Sequence, residues 1–368
     1  MKKMITKIVV IVILVLVILI GIFFAAVALS GNGKIQPFYD ADGNILENSI
    51  AEKTFIDVNG RENGLIIRGK NLDNPVLLFI SGGPGVPQYW LNEAYAKEHP
   101  NKLEDEYTVC WWDYAGEGLS YDSDITPEEL TIERLADDAV TVTEYLKKRF
   151  GKEKIYLMAH SAGTPLGLYL AQNKPENYYC YFAMGQIVTD KNRRYEEGYT
   201  FMKKQFEDSG NQKGLKALGK LVKEENGEII ILDPENIGKK WENVLLMAGC
   251  ATFREMRSDA LEIFFPQLFS GCYTLTEKIN YWRGKALLSE SSYKKLEKVS
   301  IKEEEAAQIP VYFLSGYYDY TTPVTLAREL YENLEAPDKA FYVFENSAHS
   351  PLWEENDKVL EVMRKYVR

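Results

Sequence analysis

The most restrictive feature of this chain is a buried strand that runs through a serine directly into a helix. It lies at residues 154–171, KIYLMAHSAGTPLGLYLA. The run IYLMA carries no charge, so it reads as a strand covered on both faces, the kind found inside a parallel sheet. Ser161 follows His160, and helix-forming residues begin at once. So sharp a turn leaves no room for bulk beside it, which accounts for Ala159 two positions before the serine and Gly163 two after. The helix that starts here points its unpaired N–H groups and positive end at the serine oxygen. This is the pattern of a nucleophile elbow, with alanine where glycine is usual.

The flanking segments fit that expectation. Strand-like runs recur at KTFIDVNG, GLIIRGK, NPVLLFI, YTVCWWDY, KIYLMAH and YYCYFAMGQ, with helical stretches between the later ones. Residues 126–150 predict one helix, opened by Thr126 and Pro127 and closed by lysine and arginine. From about 186 to 305 the rhythm turns helical, and the segment is rich in Lys, Glu, Tyr and Trp. IPVYFLSGYYD and KAFYVFENSAH then restore the strand pattern, and EENDKVLEVMRKYV closes with a helix. A chain of 368 residues, 46% hydrophobic, can bury such a core. The expected fold class is α/β, with a mostly parallel sheet covered by helices on both faces. Its core lies at 53–185 and 306–368. A helical cap at 186–305 interrupts it and is too long for an ordinary connection.

Residues 8–29, IVVIVILVLVILIGIFFAAVAL, carry no charge. As a helix they span roughly 33 Å, enough for a bilayer core of about 30 Å. Residues 26–28, AVA, could serve as a signal-peptide cleavage site. The apolar run exceeds the usual signal-peptide length of about 7–15 residues, so residues 1–30 are expected to remain as a single-pass anchor. A polar spacer follows at 31–52. Lys2, Lys3 and Lys7 favour the cytoplasmic side, which leaves the body outside the cell. Beyond residue 30 the chain carries 40 basic and 54 acidic side chains. That acidic balance argues against a nucleic-acid partner. None of the four cysteines forms a CxxC pair, and neither metal nor cofactor is implied. Cys110 and Cys180 sit in strand-like runs. Cys250 and Cys272 leave a pairing open if the compartment is oxidising.

A serine hydroxyl needs a general base, and the base needs an orienting carboxylate. Only three histidines are available. His99, in KEHPNKL, reads as a surface loop residue. His160 adjoins the serine but projects to the other side of the elbow, toward the core. His349 follows the last strand, where α/β sheets place catalytic groups. Asp319 holds the equivalent place after the preceding strand. Asp113 and Glu345 are rivals for the acid, the first better suited to bracing its loop, the second assigned within the last strand. The chain order is then Ser161, Asp319, His349.

Acyl transfer also needs backbone N–H donors for the developing oxyanion. Ala162 supplies one. SGGPG, at 81–85 after the run PVLLFI, is the source of the other, assigned to Gly83, with Pro84 stiffening the turn. GGPG, WWDYAGEGLS, AHSAG, SGYYD and SAHSP, in this order, resemble an α/β-hydrolase of the prolyl aminopeptidase type. The resemblance covers the core and departs from the family pattern at two places. Ser81 stands for histidine, and Tyr114-Ala115 for Gln-Arg. It implies a helical cap whose glutamates hold a free substrate amine. Trp241-Glu242 is suggestive, although Glu242 also reads as a solvated helix residue.

Three functions are compatible with these residues. One is an aminopeptidase that releases N-terminal residues, proline among them, from short peptides. Another is a carboxylesterase on small esters. The last is a binding protein on an inactive hydrolase scaffold.

Overall fold

A computed structural model describes residues 2–83, 85–94, 102–188, 191–296 and 305–367. Its main sheet holds β1 (Ile50–Val58), β2 (Arg61–Gly69), β3 (Val76–Ile80), β4 (Thr108–Trp112), β5 (Ile155–His160), β6 (Tyr178–Met184), β9 (Val311–Gly316) and β10 (Lys339–Phe344). The spatial order is β1-β2-β4-β3-β5-β6-β9-β10. Only β2 runs against the others. A two-stranded hairpin, β7 (Val222–Glu225) and β8 (Glu228–Ile231), lies apart.

Alternation along the strands builds two cores. Leu78, Ile80, Cys110, Trp112, Leu157 and Phe313 face one side of the sheet. Leu77, Phe79, Val109, Trp111, Met158 and Leu314 face the other. Both sets are fully buried, as the period of two demands when helices cover both faces. Helix Ile132–Phe150 turns Ala136, Ala139, Val142 and Leu146 inward. Its N-cap is Thr131, whose side chain accepts from the Arg134 N–H. The helix therefore starts later than the 126–150 reading. Thr126 and Glu129 close a capping box around a separate short turn, Pro127–Glu129. Gly151 ends the helix at φ 62°, a left-handed conformation that glycine adopts without a Cβ penalty.

Between β6 and β9 lie helices Lys191–Asp208, Gln212–Leu218, Ile237–Ala248 and Leu275–Leu296 and the β7–β8 hairpin. Met202, Phe206, Leu218, Trp241 and Leu245 form a third core there, shared with Tyr320 and Val324. The hairpin is the strand element within a segment read as mainly helical. Its turn is Asn226-Gly227, with φ 53° and 84°, the residue pair that such turns favour.

Helix α1 (Lys2–Leu29) includes a span, Ile5–Leu29, that is long and apolar enough to cross a membrane. The polar segment after it packs on the body rather than spanning open solvent. Ile35 is buried, Gly33 N–H donates to Gly271 O, and Arg68 Nε donates to Gln36 O. All four cysteines are buried, and Cys250 and Cys272 form no disulfide.

Candidate active site

The residues of the proposed chemistry all lie beyond the carboxyl ends of parallel strands: Ser161 directly follows β5, Gly83 and Asp319 lie three residues past β3 and β9, and His349 lies five past β10. Ser161 follows β5 and has φ 50°. A non-glycine residue in that region costs on the order of 1–3 kcal/mol, which the surrounding packing must hold in place. Ala159 is fully buried in β5, so the sheet accommodates its methyl at the position where glycine is usual. Gly163 cannot be replaced as easily. A Cβ there would lie 2.5 Å from Ser81 O, because helix Thr164–Asn173 starts against the end of β3.

Asp319 is fully buried and His349 nearly so. His349 Nδ1 donates to Asp319 Oδ2 at 2.9 Å, which leaves the Nε2 lone pair free. Thr322 completes the carboxylate's shell. Its N–H donates to Oδ1 and its hydroxyl to Oδ2, each at 2.9 Å. Gly185, at φ 59°, lets the ring in; a Cβ there would lie 2.9 Å from His349 Cε1. Glu354 braces the histidine loop by accepting from the N–H groups of Ala348 (2.9 Å) and Ser350 (3.3 Å). Burial pushes its carboxyl up to about 7.

His160 is buried, and both of its ring nitrogens are taken by groups other than the serine. Its Nε2 lies 2.8 Å from His349 O, and a carbonyl can only accept, so Nε2 carries the proton. Nδ1 then accepts from Gln88 Nε2 at 2.7 Å. Gln88 Oε1 in turn accepts from the Gly82 N–H at 3.0 Å. One chain of bonds thus joins the glycine loop, the elbow strand and the His349 loop. The two imidazole rings lie 4.7 Å apart between centres, tilted by 39°. Burial, and then the neighbouring His349, hold His160 well below its ordinary range. It is a neutral strut.

Gly83 has φ 130° and lines a cavity of about 250 Å³ together with Ser161 and His349. Gly82 backs the serine, since a Cβ there would lie 2.9 Å from Ser161 Cβ. The loop rests on the second motif. Gly85 N–H donates to the Tyr114 hydroxyl at 3.4 Å, and Tyr114 N–H to Glu117 Oε1 at 3.3 Å. Asp113 accepts from the Leu119 N–H at 2.8 Å, a brace within its own loop; burial pushes its carboxyl up to about 7. Glu345 lies just past β10 and is exposed. The strand ends one residue sooner than the sequence reading assumed. Pro84 and His99 lie outside the described residues.

The far wall of the cavity carries charge. Arg194, Glu242, Asp259 and Lys285 line it, beside Leu245, Leu246 and Ile263. Glu242 is solvent-accessible, as the sequence suggested, but the space it faces is the cavity. Its neighbour Trp241 anchors the helix in the third core, edge-on to Tyr195 at 5.0 Å. Burial raises the Glu242 carboxyl and Asp259 adds to the shift, while Arg194 and Lys285 oppose it. Gln88 and Tyr114 were missed in the sequence. Nothing local to either marks it as a partner of a distant loop.

Residues 75–356 match the family model described as alpha/beta hydrolase fold. A probable aminopeptidase, YbaC, of Bacillus subtilis is 29% identical over 326 residues, 88% of this chain and 98% of its own length. A proline iminopeptidase of Saccharolobus solfataricus is 25% identical, covering 82% and 86%. Among solved structures, the proline iminopeptidase of Mycobacterium smegmatis superimposes with a TM-score of 0.57 at 16% identity, covering 86% and 97%.

Proposed function

The chain belongs to the α/β-hydrolase fold family and is a hydrolase, and from that premise we propose a membrane-anchored serine aminopeptidase acting on short peptides. Ser161 is the nucleophile, His349 the base and Asp319 its orienter. The observation that carries this reading is the buried His349–Asp319 bond of 2.9 Å beside the cavity that His349 shares with Ser161.

The steps follow from the atoms. His349 Nε2 takes the Ser161 proton as Oγ attacks the carbonyl of the N-terminal residue. Asp319 steadies the imidazolium that results. The N–H groups of Gly83 and Ala162 receive the oxyanion. His349 then returns the proton to the departing amine, leaving an aminoacyl ester on Ser161. Water, deprotonated by His349, attacks that ester and frees the amino acid and the serine. Glu242 and Asp259, which line the cavity, hold the substrate's ammonium group in this reading.

An esterase is the second reading, favoured by the apolar Trp90, Leu91, Leu245 and Leu246 on the same cavity. Paired substrates separate the two. A peptidase cleaves alanyl or prolyl chromogenic amides far faster than their N-acetyl forms, because acetylation removes the charge that Glu242 and Asp259 would meet. Equal rates on the free and blocked forms would overturn the peptidase assignment. A fluorophosphonate probe that fails to label Ser161 would overturn the nucleophile and favour an inactive binding protein.

The anchor reading places α1 in the bilayer with residues 53–368 outside the cell and 186–305 as the cap over the site. Proteolysis of intact cells tests the orientation; a body that resists external protease refutes it.

A further inference from the structure

We infer that one face of the cap sits in the membrane surface, with Leu261, Phe265 and Phe269 inserted among the lipids of the leaflet next to the body. The inference rests on the anchor reading of α1. These three residues recur every four positions along a continuous helical stretch, 260–268, and its end at Phe269. Each is exposed, at 57%, 39% and 38%. A row of bare leucine and phenylalanine on one helical face is unusual where only water covers it.

The structure fixes what lies beside that row. Phe23 of α1 meets Phe269 edge-on, ring centres 6.0 Å apart. Val27 of α1 is buried against the body. Lys278, itself buried, donates to Val27 O at 3.2 Å and to Ser30 Oγ at 2.8 Å. A body lysine thus occupies the carbonyl end of the anchor, where the helix dipole favours a cation. Gly31 is pressed so closely on the 270–273 backbone that a Cβ would lie 2.5 Å from Tyr273 O. Anchor and cap are therefore held in one orientation.

Depth follows from length. At about 1.5 Å per residue, the span Ile5–Leu29 is roughly 37 Å long, against a hydrocarbon core of about 30 Å. Counted from Lys7, the last charge on the inner side, that core ends near residue 27. Phe23 then lies about 6 Å inside the lipid, and Phe269 touches it there. Amphipathic helices that lie on membranes bury their apolar face about 5–10 Å, the same depth. The other side of the segment looks into the catalytic cavity through Asp259 and Ile263. The seated face and the site are two sides of one helical segment, so amphiphilic substrates partitioned into the lipid surface are the class this enzyme meets first.

Spin labels on the full chain in phosphatidylcholine–phosphatidylglycerol nanodiscs test the inference. Phe265→Cys carries one label and Val12→Cys, within α1, carries the control. The four native cysteines are buried. Both labels should collide readily with oxygen and poorly with a water-soluble nickel chelate, the signature of lipid. Lipid contact at 12 with free access of the chelate at 265 overturns the inference and spares the anchor. Chelate access at both positions overturns both. A label at 265 shielded from oxygen and chelate alike means that protein covers the face, and also overturns it. A second variant reads function. Phe265→Asp combined with Phe269→Asp should raise KM at least tenfold for an alanyl amide bearing a dodecyl chain, with the rate on a short soluble alanyl amide unchanged. Equal KM values in the variant and parent overturn the functional consequence.

Discussion

His160→Gln offers a direct measure of how the site is braced. In the native protein the neutral imidazole donates from Nε2 to His349 O and accepts at Nδ1 from Gln88. Burial holds its pKa well below 6.5. In the unfolded chain it titrates near 6.5. The folded state thus binds fewer protons than the unfolded one, and its stability falls with acid. The contribution is complete above pH 6.5 and is lost as pH falls toward the folded pKa. Between 6.5 and the lower folded-state value, stability falls with each step into acid, because only the unfolded chain takes up the proton. Glutamine cannot titrate. It keeps a donor for His349 O but leaves Gln88 short of an acceptor, a constant loss of about 1–3 kcal/mol. Asp113 and Glu354 carry raised carboxyl pKa values, both about 7, and contribute the opposite trend. Their stability is present in acid and lost as pH rises through 7, but equally in both proteins. The difference between the two curves isolates His160. Urea unfolding of the full chain in detergent, followed by tryptophan fluorescence from pH 4.5 to 8, should give curves that diverge at neutral pH and converge or cross in acid. Parallel curves across the whole range would refute a buried neutral imidazole.

Ser161→Ala should lower kcat by about 10⁴–10⁶ and abolish fluorophosphonate labelling, with unfolding free energy changed by less than about 1 kcal/mol. His349→Ala should be as inactive, whereas His160→Gln should turn over; reversed activities in an assay of the two folded variants would move the base. Glu242→Gln should raise KM for free-amine amides about 10- to 100-fold and leave short esters unchanged, as steady-state kinetics on both substrates will show. Gly316→Ala drives a Cβ into Ala348 O, in the backbone beside His349, and should cost about 3 kcal/mol or more in urea melts.

What the sequence disclosed was local. Ser161, Asp319 and His349 each come within five residues of the end of an apolar strand run, and the polar residues after such a run mark the rim of a parallel sheet. The strands were legible for the same reason, since period two and full burial leave few alternatives. The start of helix Ile132–Phe150 was not, because Thr126 and Thr131 both offer a capping hydroxyl and both are used, Thr126 on a separate short turn and Thr131 on the helix. The β7–β8 hairpin was hidden by its surroundings. Asn226-Gly227 is a turn signal, but VKEE and EIII are only four residues each, and VKEE is mostly charged, too little to outweigh the helices on either side. Glu242 shows the limit most clearly. Sequence places it on an amphipathic helix; only the packing of Trp241 beneath it decides that its face looks into the cavity.

The two departures from the family pattern have a common physical consequence. In the glycine loop Ser81 stands where a histidine is usual, and the second motif lacks its arginine. Each change removes a side chain that could steady the loop. The loop is nevertheless tied at both ends. Gly82 N–H is held by Gln88, which is held by His160, and Gly85 N–H is held by Tyr114, the first residue of the altered pair. Tyr114 is itself held by Glu117, a carboxyl raised well above its ordinary range by burial and by Asp113. A protonated or half-protonated acid pair can brace a loop without an arginine, because a neutral carboxyl needs no counter-charge in the core. An arginine introduced at Ala115 would meet a buried site already balanced without it. Restoring the family residue there should therefore weaken the fold rather than repair it, measured as a lower urea midpoint for Ala115→Arg. A rise in that midpoint would mean that the loop still lacks a brace and that Tyr114 and Glu117 do not supply it.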